Sequence, residues 1–123
     1  GVFFDGLAFW NRRQGLVFSD PVNGSWFLLR TSDGGRTWKA AAPARLPALH
    51  TTEAAFAASN SALVTQGRRH VWIGSGGGAF GRVFRSSDRG QTWHVADTPI
   101  AGSASAGVFG LRFRDARTGM AVG

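Results

Sequence analysis

An all-β fold assembled from repeated four-stranded antiparallel units is what this sequence predicts. The octapeptide Thr31-Ser32-Asp33-Gly34-Gly35-Arg36-Thr37-Trp38 returns as Ser86-Ser87-Asp88-Arg89-Gly90-Gln91-Thr92-Trp93, 55 residues on when counted from Asp33 to Asp88, and such self-similarity marks a repeat architecture. Each copy is preceded by an apolar, β-prone run, Trp26-Phe27-Leu28-Leu29 or Val83-Phe84, and followed by a new strand opening on Thr-Trp. Gly, Asn, Asp and Pro clusters separate the remaining apolar runs at short intervals, as they do between the strands of β proteins.

The residue types of the repeated motif suit a tight hairpin turn. The Asp carboxylate accepts hydrogen bonds from backbone N–H groups a few residues on, while Gly35 and Gly90 supply a positive φ that a side-chain-bearing residue adopts only at a cost. Trp38 and Trp93 then bury a large apolar face and need a partner for the indole N–H. Ser32, Asp33, Gly35, Thr37 and Trp38, with Ser87, Asp88, Gly90, Thr92 and Trp93, are therefore read as structural. One carboxylate per motif, with no second acid or His beside it, does not make a metal site.

The elements follow in order. Val2 to Trp10 is too apolar for an exposed edge and reads as a buried innermost strand; Asn11 to Gln14 is a turn, and Gly15 to Ser19 returns as a second strand. Asp20 to Gly24 carries Pro and Asn-Gly turn signals, a third strand runs from Ser25 to Thr31, and a fourth from Thr37 to about Ala41 closes the first unit, 1–41. Residues 42–61, with Pro43, Pro47 and the small-residue run Ala54 to Ala58, form a linker with room for an extra strand. The second unit, 62–97, aligns on the motif spacing: Gly15-Leu16-Val17-Phe18 falls on His70-Val71-Trp72-Ile73, and Phe27 to Arg30 on Arg82 to Arg85. A third copy starts in 106–123, where Gly6-Leu7-Ala8-Phe9 matches Gly110-Leu111-Arg112-Phe113 and Gly15-Leu16-Val17 matches Gly119-Met120-Ala121.

The motif S-x-D-x-G-x-T-W resembles the Asp-box, or BNR repeat, of β-propeller proteins. The wider phrase from Leu29 to Trp38 is most similar to the propellers related to the photosystem II stability and assembly factor. The resemblance covers nearly the whole chain and implies four-stranded blades, each with its box at the turn between third and fourth strands. On that reading the chain holds two blades and the start of a third, a fragment of a six- to eight-bladed propeller whose ring is completed by further blades or by other copies. Because enzymes and non-enzymes share the box, it speaks to fold more than to function.

Composition narrows the function classes. With 123 residues and 43% hydrophobic content the chain suits one domain with a core; it has no cysteine and no run of about 18 apolar residues that would span a membrane as a helix. The formal charge is +7, and Lys39 is the one lysine among 14 basic residues. Arginine pairs with carboxylates in a bidentate way, so this balance suits an anionic partner, although the basic residues are scattered and not blocked together. Arg12, Arg13, Arg68, Arg69, Arg112, Arg114 and Arg117 fall at or near the ends of equivalent strand pairs and are the candidate binding rim.

Other constellations lack their context. Gly76 to Gly81 satisfies G-x-G-x-x-G, but Arg82 to Arg85 continues as a strand, so the helix N-terminus that would hold a pyrophosphate is not expected. His50, His70 and His94 have no metal-ligand spacing and read as polar positions at strand ends; no metal or cofactor is expected. Sialidases with Asp-boxes use a tyrosine nucleophile with a glutamate, whereas this chain has no tyrosine and Glu53 is its one glutamate. Among the other acids, Asp20 and Asp115 read as turn residues and nothing pairs Asp5 with Asp97.

The expected function is thus a non-catalytic binding or assembly scaffold that holds a partner protein through a basic face. The resemblance also implies an extracytoplasmic location, periplasmic or secreted. The alternative is a glycoside hydrolase, sialidase-like or xyloglucanase-like, with carbohydrate as ligand and its catalytic residues largely outside this segment. Nucleic acid is disfavoured, since no nucleic-acid-binding motif is present.

Overall fold

The computed structural model describes residues 4–55, 62–102, 107–108 and 110–123, and the described residues contain strands, turns and bridges but no helix. Three antiparallel sheets follow one another along the chain. The first has the order β1 (Phe4–Phe9), β2 (Gly15–Val22), β3 (Ser25–Thr31), β4 (Lys39–Ala40). The second repeats it as β5 (Leu63–Gln66), β6 (His70–Gly74), β7 (Phe80–Ser86), β8 (His94–Ala101), and β9 (Gly110–Phe113) with β10 (Gly119–Val122) forms a two-stranded third.

Several predicted boundaries move. β2 continues through Asp20 and Pro21 to Val22, so the turn is the pair Asn23-Gly24, both at positive φ (54° and 77°), between the paired residues Val22 and Ser25. This is the Asn-Gly hairpin, in which both central residues take the left-handed region. The fourth strand shrinks to Lys39–Ala40, whereas its counterpart runs past residue 97 to Ala101. In the linker, Arg45 and Ala54 each form an isolated bridge, to Thr92 and Gly76; residues 56–61, with most of the small-residue run, lie outside the described residues, as do Val2, Phe3 and residue 106.

The alignment of the two units needs a larger correction. Gly15 pairs with Thr31 and Val71 with Ser86, the first residues of the two motifs, so Gly15 corresponds to Val71 and not to His70. The second hairpin between these strands is one residue shorter than the first. A one-residue shift exchanges the faces of every side chain in a strand. Leu16 is therefore the counterpart of Trp72, and Val17 that of Ile73.

With that register the packing repeats. One face of the first sheet, carrying Leu16, Phe18, Trp26 and Leu28, packs on Leu63, Val71, Ile73 and Phe84 of the second. Trp26 stands edge-on between Phe18 (5.3 Å, 84°) and Phe84 (5.6 Å, 81°), a geometry favoured by the ring quadrupoles. The other face of the second sheet, with Val64, Trp72 and Val83, packs on Leu111 and Phe113 of the third, and Trp72 lies flat on Phe113 at 3.7 Å. Glycine permits the approach: a Cβ on Gly6 would fall 2.9 Å from Leu63 Cβ, and one on Gly74 2.6 Å from Val108.

β1 corrects the expectation of a buried strand. It is the edge of its sheet, and Phe4 and Leu7 are 50% and 43% exposed. They stand with Val17 and Leu29 on the face opposite the second sheet. The residue equivalent to Leu7 in the next unit, Leu63, is 1% exposed because the first sheet covers it.

Candidate functional site

The two motif turns are wired alike. Thr37 donates to Asp33 from its backbone N–H (2.9 Å to Oδ1) and from its hydroxyl (2.5 Å to Oδ2); Thr92 does the same to Asp88 at 2.9 and 2.5 Å. The hydroxyl that completes each network is the first residue of the motif, not the second. Thr31 Oγ1 donates to Asp33 and accepts from the N–H groups of Asp33 and Gly35, as Ser86 Oγ does for Asp88 and Gly90. Thr31 and Ser86 are buried, whereas Ser32 and Ser87, the serines picked out in sequence, are exposed. The burial signal was present in sequence only as the last inward position of the strand.

Each indole N–H finds the carbonyl three residues back, Trp38 to Gly35 (3.1 Å) and Trp93 to Gly90 (2.9 Å). Gly35 (φ 92°) and Gly90 (φ 86°) take the expected left-handed backbone; where the first motif also has Gly34 at 78°, the second has Arg89 at 58°. Arg89 holds that conformation with its Nε donating to Arg68 O and its guanidinium over the Trp10 ring at 5.9 Å.

The hydroxyl of Thr37, then its backbone N–H, then the hydroxyl of Thr31 lower Asp33 to about 2. At Asp88 burial pushes upward, but the same set of bonds from Thr92 and Ser86 outweighs it and the carboxyl ends below its ordinary range. Both carboxylates therefore support the fold above the ordinary Asp range and lose that support as pH falls through their lowered folded-state values. Replacing Asp88 by Ala should cost on the order of 1 kcal/mol, the net worth of a few partly exposed hydrogen bonds. Urea unfolding of the variant at neutral pH checks this; an unchanged midpoint would contradict it.

These turns also build a surface. Gly34 N donates to Arg13 O and Arg89 N to Arg69 O, each at 2.9 Å, so every motif turn is stitched to the first hairpin turn of its own sheet. Across the sheets, Trp10 Nε1 donates to His70 O (2.8 Å), Thr65 Oγ1 to Phe9 O (2.9 Å) and Arg30 to Arg89 O (2.7 Å). The equivalent strand ends thus lie side by side. Arg12 and Arg13, Arg68 and Arg69, and Arg114 and Arg117 occupy the three equivalent turns and are exposed.

Arg112, predicted with them, is instead in β9 and projects with Met120 on the outer face of the third sheet. Arg36 and Arg89 of the motif turns belong to the rim and were not singled out in sequence. Their signal was the motif itself, once its turn is known to sit against the first hairpin. The acids on this rim are engaged: Asp33 and Asp88 in their turns, and Asp115 accepting from the N–H groups of Arg117 and Thr118 at 2.8 Å. Grooves lie between the paired turns of each sheet, one of about 630 Å³ bounded by Arg68, Arg69, Asp88 and Arg89, another of about 570 Å³ along Asn11 to Gln14 and Ser32.

Two acids considered for chemistry have other surroundings. Glu53, 5% exposed, accepts from Arg82 (2.5 and 2.9 Å), Ser75 and the His50 N–H. Burial pushes its carboxyl up, but the bonds from Arg82 and then Ser75 hold it below the ordinary Glu range. Asp20, read as a turn residue, instead lies in β2, and Asp5 on the neighbouring strand is raised to about 7 by burial first and then by Asp20. Gly76 to Gly81 leads into β7, with no helix to receive a phosphate, and among the described residues no group of three or more His, Cys, Asp or Glu could hold a metal ion. Scanned against family models, curated proteins and solved structures, the chain matches none.

Proposed function

We propose that the chain is part of an Asp-box β-propeller and serves as a non-catalytic scaffold that binds an acidic protein surface through its arginine rim. One observation carries this reading: equivalent hairpin turns present paired arginines side by side, while the nearby carboxylates are consumed by the turns themselves. Exposed guanidinium groups repeated from sheet to sheet, of which Arg114 lies in a loose, exposed pair with Asp115 (3.8 Å), favour an extended anionic partner over a compact substrate. The propeller reading draws support from the repeated face-to-face order of the sheets, in which an open front (Leu7, Val17, Leu29) matches fronts that are covered in the next two units. Further sheets of the same chain, or other copies, would cover it.

The hydrolase alternative draws less support. Glu53, the one glutamate, is locked in an ion pair with Arg82, whereas glycoside hydrolysis needs two carboxyls about 5 to 10 Å apart across the sugar.

Exchanging Arg12, Arg13, Arg68 and Arg69 for Gln should leave the melting temperature unchanged and weaken binding of a poly-glutamate probe by about 30-fold, as expected for four exposed pairs at roughly 0.5 kcal/mol each. Binding by the unmodified chain should also decline between low and physiological salt, where screening acts over about 8 Å. Salt-independent binding that survives the arginine changes, or release of sugars from a glycan panel, would overturn the scaffold.

A further inference from the structure

The two motif turns differ at one place in their backbone. Where the first has Gly34, the second has Arg89 at φ 58°, one of two non-glycine residues at positive φ among the described residues; the other, Asn23, belongs to an Asn-Gly turn. A long side chain takes that conformation only at a cost that glycine avoids, and such departures gather where the side chain itself is needed. Arg89 is also pinned from several sides. Its N–H donates to Arg69 O (2.9 Å), its carbonyl accepts from Arg30 Nη2 (2.7 Å), its Nε donates to Arg68 O (2.6 Å), and the Trp10 ring lies against its guanidinium at 5.9 Å. Among the described residues the Nη groups of Arg89 and the guanidinium groups of Arg68 and Arg69 are left without an acceptor.

These three arginines bound the groove of about 630 Å³ together with Asp88, whose carboxylate is occupied by donors from Ser86, Gln91 and Thr92. Three guanidinium groups against one carboxylate leave a net charge of +2. The matching groove of the first sheet is bordered by two arginines, Arg12 and Arg13. Burial first, then the charge of Arg89, push the Arg30 guanidinium below its ordinary range, against the pull of Asp88, so positive potential gathers at the second motif turn.

We propose that this groove binds a phosphomonoester, carried as a phosphorylated side chain by the acidic partner that the rim holds. The inference rests on the rim reading above and adds which group is recognised and where. At neutral pH a phosphomonoester carries about two negative charges on three terminal oxygens, and it can accept forks from more than one guanidinium; a carboxylate offers one charge and two oxygens. Arg89, already held by its backbone and by Nε, gives up little side-chain freedom when its Nη groups engage the ligand.

Fluorescence polarisation of the full chain tests it, with a short labelled peptide carrying one phosphoserine and a twin carrying Glu at that position. The phosphoserine peptide should bind at least about tenfold more tightly, the ratio that one added charge-assisted hydrogen bond supplies. Arg89→Gly, which keeps the turn as Gly34 does in the first motif, should remove that preference without lowering Tm. Should that variant fail to fold, Arg69→Gln, which retains the carbonyl that the Arg89 N–H donates to, should reduce the preference in the same direction. Equal affinity for the two peptides, or a preference that survives both substitutions, would overturn this site and leave the rim reading standing. Binding of neither peptide, with poly-glutamate also ignored, would overturn both.

Discussion

Replacing Trp93 by Ala should remove roughly 3–5 kcal/mol, a large part of the 5–15 kcal/mol that holds a domain of this size together. Trp93 is 0% exposed, and the linker wraps its motif: Trp93 N donates to Arg45 O, Ala44 and Arg45 donate to Gln91 O, and a Cβ on Gly90 would already lie 3.7 Å from Leu16. Deleting the indole leaves a cavity between two sheets that the surrounding backbone cannot fill. Trp38 occupies the same place in its own motif and makes the same hydrogen bond, but it borders the open cavity of the first sheet and touches Phe9 edge-on at 6.1 Å. Its replacement by Ala should cost less than half as much. Urea titrations with unchanged slopes would measure the difference, and equal losses at the two positions would contradict the burial argument.

The buried pair of Glu53 and Arg82 should be nearly as costly to break from one side. Glu53→Ala leaves Arg82, a residue 8% exposed, with the Ala48 carbonyl (3.2 Å) and the Phe84 ring (5.0 Å) as its remaining partners among the described residues, and such orphaned charges cost about 3–5 kcal/mol. Arg82→Met should cost a similar amount, because among the described residues the carboxylate then keeps Ser75 and the His50 N–H alone. Changing both together should cost much less than the sum, since neither charge remains to be desolvated alone. A double-mutant cycle reads the coupling directly, and additivity would show that the pair does not hold the linker to the second sheet. The carboxyl sits below its ordinary range in the folded state, so the stabilisation is present above the ordinary Glu value and disappears as pH falls through the lowered one.

Both expectations turn on residues whose weight was invisible in sequence. Glu53 stood out there only as the one glutamate; that it meets Arg82 across 29 positions is a consequence of the linker crossing behind β7. Trp38 and Trp93 read identically, and nothing in either octapeptide says which one will be covered.

Local chemistry was legible wherever a few consecutive residues decide the outcome. The paired motifs with Gly35 and Gly90 at positive φ, the Asn23-Gly24 turn, the strands Ser25–Thr31 and Gly110–Phe113, and the continuation of Gly76 to Gly81 into a strand follow from backbone preferences and alternation of apolar residues, which act over short range. Register and facing did not follow. The single residue missing from the second hairpin shifts Val71 opposite Ser86 and sends Trp72, not Val71, toward the third sheet, and only inter-strand hydrogen bonds determine that. Burial of Leu63 against exposure of Leu7, and the gathering of eight arginines on one rim while Arg112 stands apart, were likewise decided by the stacking of sheets, because burial and electrostatics depend on what lies across the interface and not on neighbours along the chain.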